Sequence, residues 1–165
     1  MTEEFDVSQF TRQPEGRSLG HAWTFVRRRL LGDKPVPMIP VMVNTYFPPN
    51  QPTPGRCFAL GEALRRAVES WPGKEKVCVV ASGGLSHFVV DEKLDRRVID
   101  GIASKDKKSL TTIPREQLQS GSSEIMNWIT AAGAMQHLSM KLHAYIPGYR
   151  TPAGTGCGMT FATWN

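Results

Sequence analysis

A histidine and a glutamate, His87 and Glu124, stand in the two segments of this sequence that are best suited to chemistry. His87 follows the glycine pair of SGGLS (residues 82–86), after the apolar run VCVVAS over residues 77–82. Such a run is typical of a buried strand, and ligands of α/β sheets bind at the carboxyl ends of strands, where glycine allows close approach. His87 can therefore be a ligand-contacting or acid/base residue. From position alone, a hydrogen-bonded histidine in a strand-to-helix turn is an equal alternative.

Glu124 lies in SGSSEIMNWITAAGAM, residues 120–135, which predicts a helix capped by Ser122 or Ser123. A first-turn acid ordinarily complements the helix dipole at the surface. Here the neighbours at helical spacing are apolar, so the carboxylate can instead point inward: Ile125, Trp128, Ile129 and Ala132. A buried carboxylate needs a metal ion or a charge partner.

The remaining candidate residues carry less specific signals. His21, in SLGHAW, is either a polar contact in a pocket or an exposed helix residue. His137 and His143 do not have the i, i+4 spacing of a helical metal pair. The glycine-rich GTGCG (154–158) lacks the strand–loop–helix context of a dinucleotide site. The cysteines contain no C-x-x-C pair, so we expect reduced thiols, with Cys78 in the core.

The elements that position these residues alternate between strand and helix. Apolar periodicity and turn residues predict strands over 36–46 and 77–82, a closing strand over 159–164, and helices over 20–31, 57–71, 91–104 and 120–135, with a short helix or turn over 111–119. The order strand, helix, strand over 36–82 predicts a βαβ unit. The expected fold is therefore α/β, with a mixed or mostly parallel sheet flanked by helices.

Length and composition narrow the class of protein. A chain of 165 residues is expected to form one domain, residues 1–165. The net charge is +5, but apart from the run at 27–29 the basic residues are scattered, so no nucleic-acid partner is expected. No apolar run reaches the roughly 20 residues of a membrane span. The acidic opening MTEEFDVSQF lacks the features of a secretory signal, so a cytoplasmic location is expected.

Several segments, in order, resemble one enzyme family. NTYFPPNQPTPGRCFALGEALRRAVESW, VVASGGLSHFVVDEKLDRRVID, SGSSEIMNWITAAGAM and YIPGYRTPAGTGCGMTFA are together similar to the class III extradiol ring-cleavage dioxygenases, relatives of the catalytic β subunit of protocatechuate 4,5-dioxygenase. The gallate and 3-O-methylgallate branch is the most similar. The resemblance covers almost the whole chain, which makes it more specific than any single motif.

The resemblance implies a non-haem Fe(II) enzyme that uses O2 to open a catecholic ring next to its two hydroxyls. In this family two histidines and one glutamate hold the iron and leave positions open for substrate and oxygen. His87, the histidine of GGLSH, takes the place of the family's acid/base residue. Glu124, in SSEIMNW, takes that of the carboxylate ligand. A group that titrates near neutral pH beside the metal suits the proton transfers of a bound catechol.

The resemblance also suggests substrate-contacting residues. His21 would lie near the substrate or behind the metal ligands, although Gly20 stands where the family's D-H-G-x-W motif has its aspartate. Tyr149, Arg150 and Thr151 would belong to a substrate-contacting loop. There the Arg150 guanidinium can pair with the carboxylate of an aromatic acid.

The two iron-binding histidines of the family have no counterpart in this sequence. In the family they precede the matched region, and His137 and His143 do not stand in ligand motifs. The chain therefore resembles the C-terminal half of such an enzyme. Three explanations stay open: a shortened polypeptide, a half-protein whose N-terminal half or small subunit is a separate chain, and a remnant without activity. A non-catalytic, metal-free binding or scaffold protein is the alternative function, and exposed hydrophobic surface that promotes association is expected.

Overall fold

The computed structural model of the chain describes residues 4–9, 12, 15–17 and 20–165. These residues divide into two units, Met1–Met42 and Val43–Asn165. In the first unit, helix α1 (His21–Phe25) continues directly into a π-helical turn, Val26–Leu30. The helix predicted over 20–31 is thereby confirmed, whereas the single domain over 1–165 stays a prediction. None of the helices in the described residues is long and apolar enough to cross a membrane.

The second unit contains the helices predicted from apolar periodicity. They are α2 (Pro54–Glu69), α3 (Glu92–Ala103) and α5 (Ile125–Met135). A further short helix, α4 (Lys107–Thr111), was not predicted, and single 3-10 turns lie at Arg115–Gln117 and Ser120–Glu124. Helix α2 begins where the Thr53 side chain accepts the Arg56 N–H at 3.2 Å, with a proline in its first turn. Asp91 caps α3 in the same way, accepting the Leu94 N–H at 3.0 Å.

Helices α2 and α5 pack against each other through glycines. A Cβ added at Gly61 would lie 1.9 Å from the Thr130 carbonyl oxygen, and one at Gly133 would lie 2.1 Å from that of Phe58. The close approach buries α5 on almost all sides, and Ile125 and Ile129 are fully inaccessible.

Replacing Gly61 with alanine should therefore lower the free energy of unfolding by about 1–3 kcal/mol, because two backbones must move apart to admit one methyl group. Gly55→Ala, in the same helix, is the matched control. Its added Cβ would meet nothing closer than the Thr53 hydroxyl at 4.0 Å, and alanine favours helix. Urea unfolding followed by circular dichroism measures both variants, and equal stabilities would contradict this packing.

The sheet has three strands, β1 (His87–Val89), β2 (Met140–Tyr149) and β3 (Thr155–Trp164), in the order β1-β3-β2. Both pairings are antiparallel, with His87 opposite Cys157 and Tyr149 opposite Gly156. Tyr145 and Trp164 pack against the hydrophobic core formed by the helices. The predicted closing strand is confirmed as the end of β3, which begins earlier than expected.

The α/β class is confirmed, but the predicted parallel pairing is wrong for the described residues. Residues 36–45 and 77–82 do not form strands of this sheet, so the predicted βαβ unit is absent from the described part of the chain. Both segments expose apolar side chains: Ile39 is 87% exposed, Met42 64% and Val77 53%. Their composition favours strands, but a strand needs a neighbour to accept and donate its backbone hydrogen bonds.

Candidate functional site

The glycine-rich turn before His87 is fixed to strand β3 by backbone hydrogen bonds. The Leu85 N–H donates to the Gly158 carbonyl at 2.8 Å, and the Gly158 N–H donates to the Ser86 carbonyl at 2.8 Å. Leu85 is fully buried in the core. The chain then enters β1 at His87, so the histidine follows directly from an anchored turn.

A buried carboxylate also anchors the glycine-rich turn through hydrogen bonds. Asp95, on α3, is fully buried and accepts the Ser86 N–H at 2.8 Å and the Ser86 hydroxyl at 2.9 Å. The Tyr145 hydroxyl donates to Asp95 at 2.8 Å, and burial, followed by the hydrogen bond to Asp95, raises the pKa of Tyr145 so that it stays a donor. The Ser86 hydroxyl in turn accepts the Asp91 N–H at 2.9 Å. This network ties the residue before His87 to a helix and a second strand.

The imidazole of His87 has a defined orientation. Its Nδ1 lies 2.9 Å from the Leu85 carbonyl oxygen, and its backbone N–H donates to the Ser122 hydroxyl at 3.0 Å. A carbonyl oxygen only accepts, so Nδ1 carries a proton in both charge states of the ring. The proton that His87 can gain or lose is therefore the one on Nε2.

Glu124 lies beside that nitrogen. Its Oε2 is 3.5 Å from His87 Nε2 and accepts the Gly84 N–H at 3.1 Å. Glycines make this contact possible: a Cβ at Gly83, where φ is +142°, would lie 2.6 Å from the same oxygen, and one at Gly121 would lie 2.5 Å from His87 Cβ. The family resemblance makes His87 the acid/base residue beside an iron and Glu124 a ligand of that iron, which requires the two to lie close together. The structure confirms this proximity, while their roles stay predictions.

Cys157 is the third member of this cluster, and sequence reasoning missed it. Its Sγ lies 3.3 Å from His87 Nε2, because β3 pairs Cys157 with His87. Burial, followed by the negative charges of Glu124 and Asp95, raises the pKa of the Cys157 thiol. The thiol therefore keeps its proton and can donate it to Nε2 when the imidazole is neutral. The glycine-rich GTGCG segment was the only sequence signal for this position.

The cysteines should differ in their reaction with iodoacetamide near pH 8. Cys78 is exposed, so the expectation that it lies in the core is wrong, and it should react first. Cys157 should react more slowly, because its raised pKa leaves little thiolate. Cys57 should stay unmodified in the folded protein, since it is 1% exposed and burial raises its pKa to about 11. Mass spectrometry of a time course gives the order, and modification of Cys57 before Cys157 would contradict this assignment.

The predicted substrate-contacting residues lie at two places. Tyr149 ends β2, and its hydroxyl donates to Glu92 at 2.6 Å, a hydrogen bond that raises the pKa of Tyr149. Arg150 follows it, with its N–H donating to the Thr155 carbonyl at 2.7 Å, and Thr151 shares a 2.7 Å hydroxyl contact with Thr155. His21 is exposed at the start of α1, in the other unit. A substrate role for these residues stays a prediction.

The described residues do not make a complete iron site. Among them, no group of three or more His, Cys, Asp or Glu side chains is arranged to hold a metal ion. His143 Nε2 instead contacts the Thr163 hydroxyl at 2.8 Å. Glu124 offers one carboxylate, but a two-histidine, one-carboxylate site needs further imidazoles. The described residues therefore fit one of the three protein ligands of such a site, the carboxylate.

Comparison with known proteins identifies the class of this chain. Residues 24–159 match the family described as the catalytic LigB subunit of aromatic ring-opening dioxygenase. The chain therefore belongs to this family, as the sequence motifs indicated. The match includes His87, Glu124 and Cys157, and it begins after His21.

A particular relative is a gallate dioxygenase of Pseudomonas putida, to which the chain is 31% identical over 169 aligned positions. The alignment covers 94% of this chain and 47% of that protein. The chain thus spans about half the length of the curated relative that it matches.

Proposed function

We propose that this chain forms part of a non-haem Fe(II)-dependent extradiol dioxygenase that opens the ring of a catecholic aromatic acid with O2. Gallate, 3-O-methylgallate and protocatechuate are the substrates of this kind to test. The observation that carries the proposal is the contact of His87 Nε2 with Glu124 Oε2 at 3.5 Å, within a chain of the aromatic ring-opening dioxygenase family.

In this proposal His87 is the acid/base residue and acts at Nε2. The Leu85 carbonyl keeps the other ring nitrogen protonated, so proton exchange is confined to the nitrogen that faces the cluster. A catechol must lose protons on binding, and an oxygenated product must regain one, which suits an imidazole that can accept and donate a proton. Cys157, as a protonated donor, would hold Nε2 in place while the imidazole is neutral.

Glu124 is proposed as the carboxylate ligand of the iron. Its carboxylate is oriented by the Gly84 N–H and is only partly exposed, which supports a role beyond a surface charge. A ferrous ion held there together with further ligands would bind the catechol oxygens and O2. Those further ligands would come from polypeptide equivalent to the rest of the gallate dioxygenase, as the same chain or another. Arg150 would pair with the substrate carboxylate.

The second candidate function is a metal-free binding or scaffold protein of the same family. The incomplete donor set of the described residues favours it. Oxygen uptake separates the candidates: the chain is combined with polypeptide corresponding to the unmatched part of the Pseudomonas putida relative and supplied with Fe(II) and each of the three catechols. Uptake with at least one supports the dioxygenase, and none with any supports the scaffold.

A further inference from the structure

Phe88, the residue after His87, has an unusual backbone conformation. Its φ is +68°, in the left-handed region, although it stands in the middle of strand β1. Among the described residues that carry a side chain, the others with such a φ lie in turns: Asp33, Lys105 and Ser120. A bulky side chain rarely adopts this conformation, and residues that do so cluster at functional sites. A turn or a helix cap does not explain the conformation of Phe88.

The side chains of Phe88 and His87 lie against the same glycine. In a regular strand, consecutive side chains point to opposite faces of the sheet. Here a Cβ added at Gly121 would lie 2.5 Å from His87 Cβ and 3.4 Å from Phe88 Cε2. Gly121 belongs to the 3-10 turn that ends at Glu124. The Phe88 ring therefore lies next to the two segments that carry His87 and Glu124.

The ring of Phe88 is held in place and still exposed. Its backbone is fixed because β1 pairs Phe88 with Gly156 on β3 and the His87 N–H donates to the Ser122 hydroxyl at 3.0 Å. The side chain nevertheless remains 61% exposed, although phenylalanine is usually buried. An exposed aromatic ring in a fixed position is suited to stack on another flat ring.

We propose that Phe88 is a substrate-binding residue whose ring stacks on the aromatic ring of the catecholic acid. The inference rests on the proposed function, because that function places a flat aromatic ligand beside His87. The contact is made to the unreacted ring, so its loss should weaken substrate binding more than the chemical step.

Equilibrium dialysis without O2 measures the binding of each of the three catechols. The sample is the whole 165-residue chain combined with Fe(II) and with polypeptide corresponding to the unmatched part of the gallate dioxygenase. Phe88→Leu keeps an apolar side chain without an aromatic face and should raise Kd about 3- to 10-fold. Phe161→Leu, at another exposed phenylalanine of the sheet, is the matched control and should leave Kd unchanged. Circular dichroism verifies that both variants are folded.

Urea unfolding of the chain alone tests the strained conformation separately. Glycine adopts a positive φ freely, so Phe88→Gly should unfold at a higher urea concentration than Phe88→Ala. At Val89, the next residue of β1, φ is not positive. There Val89→Gly should unfold at a lower urea concentration than Val89→Ala, because glycine weakens a strand. The same order at both positions would contradict strain at Phe88.

Equal catechol binding by Phe88→Leu and by the unmodified chain would overturn the proposal. If only the association of the two polypeptides weakened, the ring would belong to their interface instead. Equal binding together with oxygen uptake would leave the proposed dioxygenase activity standing. Conversely, weaker catechol binding by Phe88→Leu in a complex without oxygen uptake would refute the activity and support the role of Phe88. No catechol binding in any sample would refute both.

Discussion

Asp95→Ala is expected to lower the free energy of unfolding by about 2–4 kcal/mol, because buried donors without an acceptor are costly. The carboxylate accepts the Ser86 N–H, the Ser86 hydroxyl and the Tyr145 hydroxyl, and its surroundings exclude water. A Cβ at Gly158 would lie 2.0 Å from Asp95 Oδ2, so β3 also packs directly on this group. Removing it leaves three donors unsatisfied and frees the turn before His87.

Urea unfolding of Asp95→Ala, Asp95→Asn and Asp100→Ala measures this effect. Asp100 lies on the same helix with its side chain exposed, so its replacement should change stability by less than about 0.5 kcal/mol. The asparagine variant keeps one acceptor oxygen and should fall between the other two. Equal stability of Asp95→Ala and Asp100→Ala would show that the network does not hold the turn.

His87→Ala is expected to reduce ring opening about 10²- to 10⁴-fold, the usual contribution of a positioned acid/base group. The enzyme assayed is the chain combined with polypeptide corresponding to the unmatched part of the gallate dioxygenase and supplied with Fe(II). The expectation follows from the Nδ1 contact with Leu85, which leaves Nε2 as the only site of proton exchange. His143→Ala is the matched control, since that exposed imidazole contacts only the Thr163 hydroxyl among the contacts described for it.

Oxygen uptake with gallate measures both histidine variants after circular dichroism has verified their folds. The pH dependence adds a second readout, because loss of an acid/base group should flatten the profile as well as lower it. Equal rates for His87→Ala and His143→Ala would remove His87 from the proposed mechanism.

Local sequence patterns predict the helices of this protein well, because their stability depends on residues close together in the chain. The same patterns also contain a signal for Asp95. Asp95, Val98, Ile99 and Ile102 follow helical spacing, so a carboxylate occupies the apolar face of α3. A charged residue in such a position predicts buried hydrogen-bond donors opposite it.

Strands are harder to predict because their partners are distant in the sequence. Pro147 and Gly148 weaken the strand signal of β2, yet they are tolerated because β2 lies at an edge of the sheet. Conversely, residues 77–81 have a strong strand signal but make no backbone hydrogen bond to another described residue. In both cases, whether a strand forms depends on backbone hydrogen bonds to residues distant in the sequence.

The candidate site likewise contains residues that local motifs indicate and one residue that depends on strand pairing. The GGLSH and SSEIMNW motifs indicate His87 and Glu124, and the fold brings them together. Cys157 enters the cluster only through the register of β1 on β3, which no local pattern specifies.

Iron binding by the chain alone tests the central claim most directly: that it supplies an acid/base residue and one carboxylate ligand, and depends on further polypeptide for the rest. Fe(II) is titrated anaerobically into three samples. They are the chain alone, its complex with polypeptide corresponding to the unmatched part of the gallate dioxygenase, and the same complex carrying Glu124→Gln. We expect stoichiometric iron and gallate-dependent oxygen uptake only in the unmodified complex. One equivalent of Fe(II) bound by the chain alone, with catechol turnover, would contradict the account.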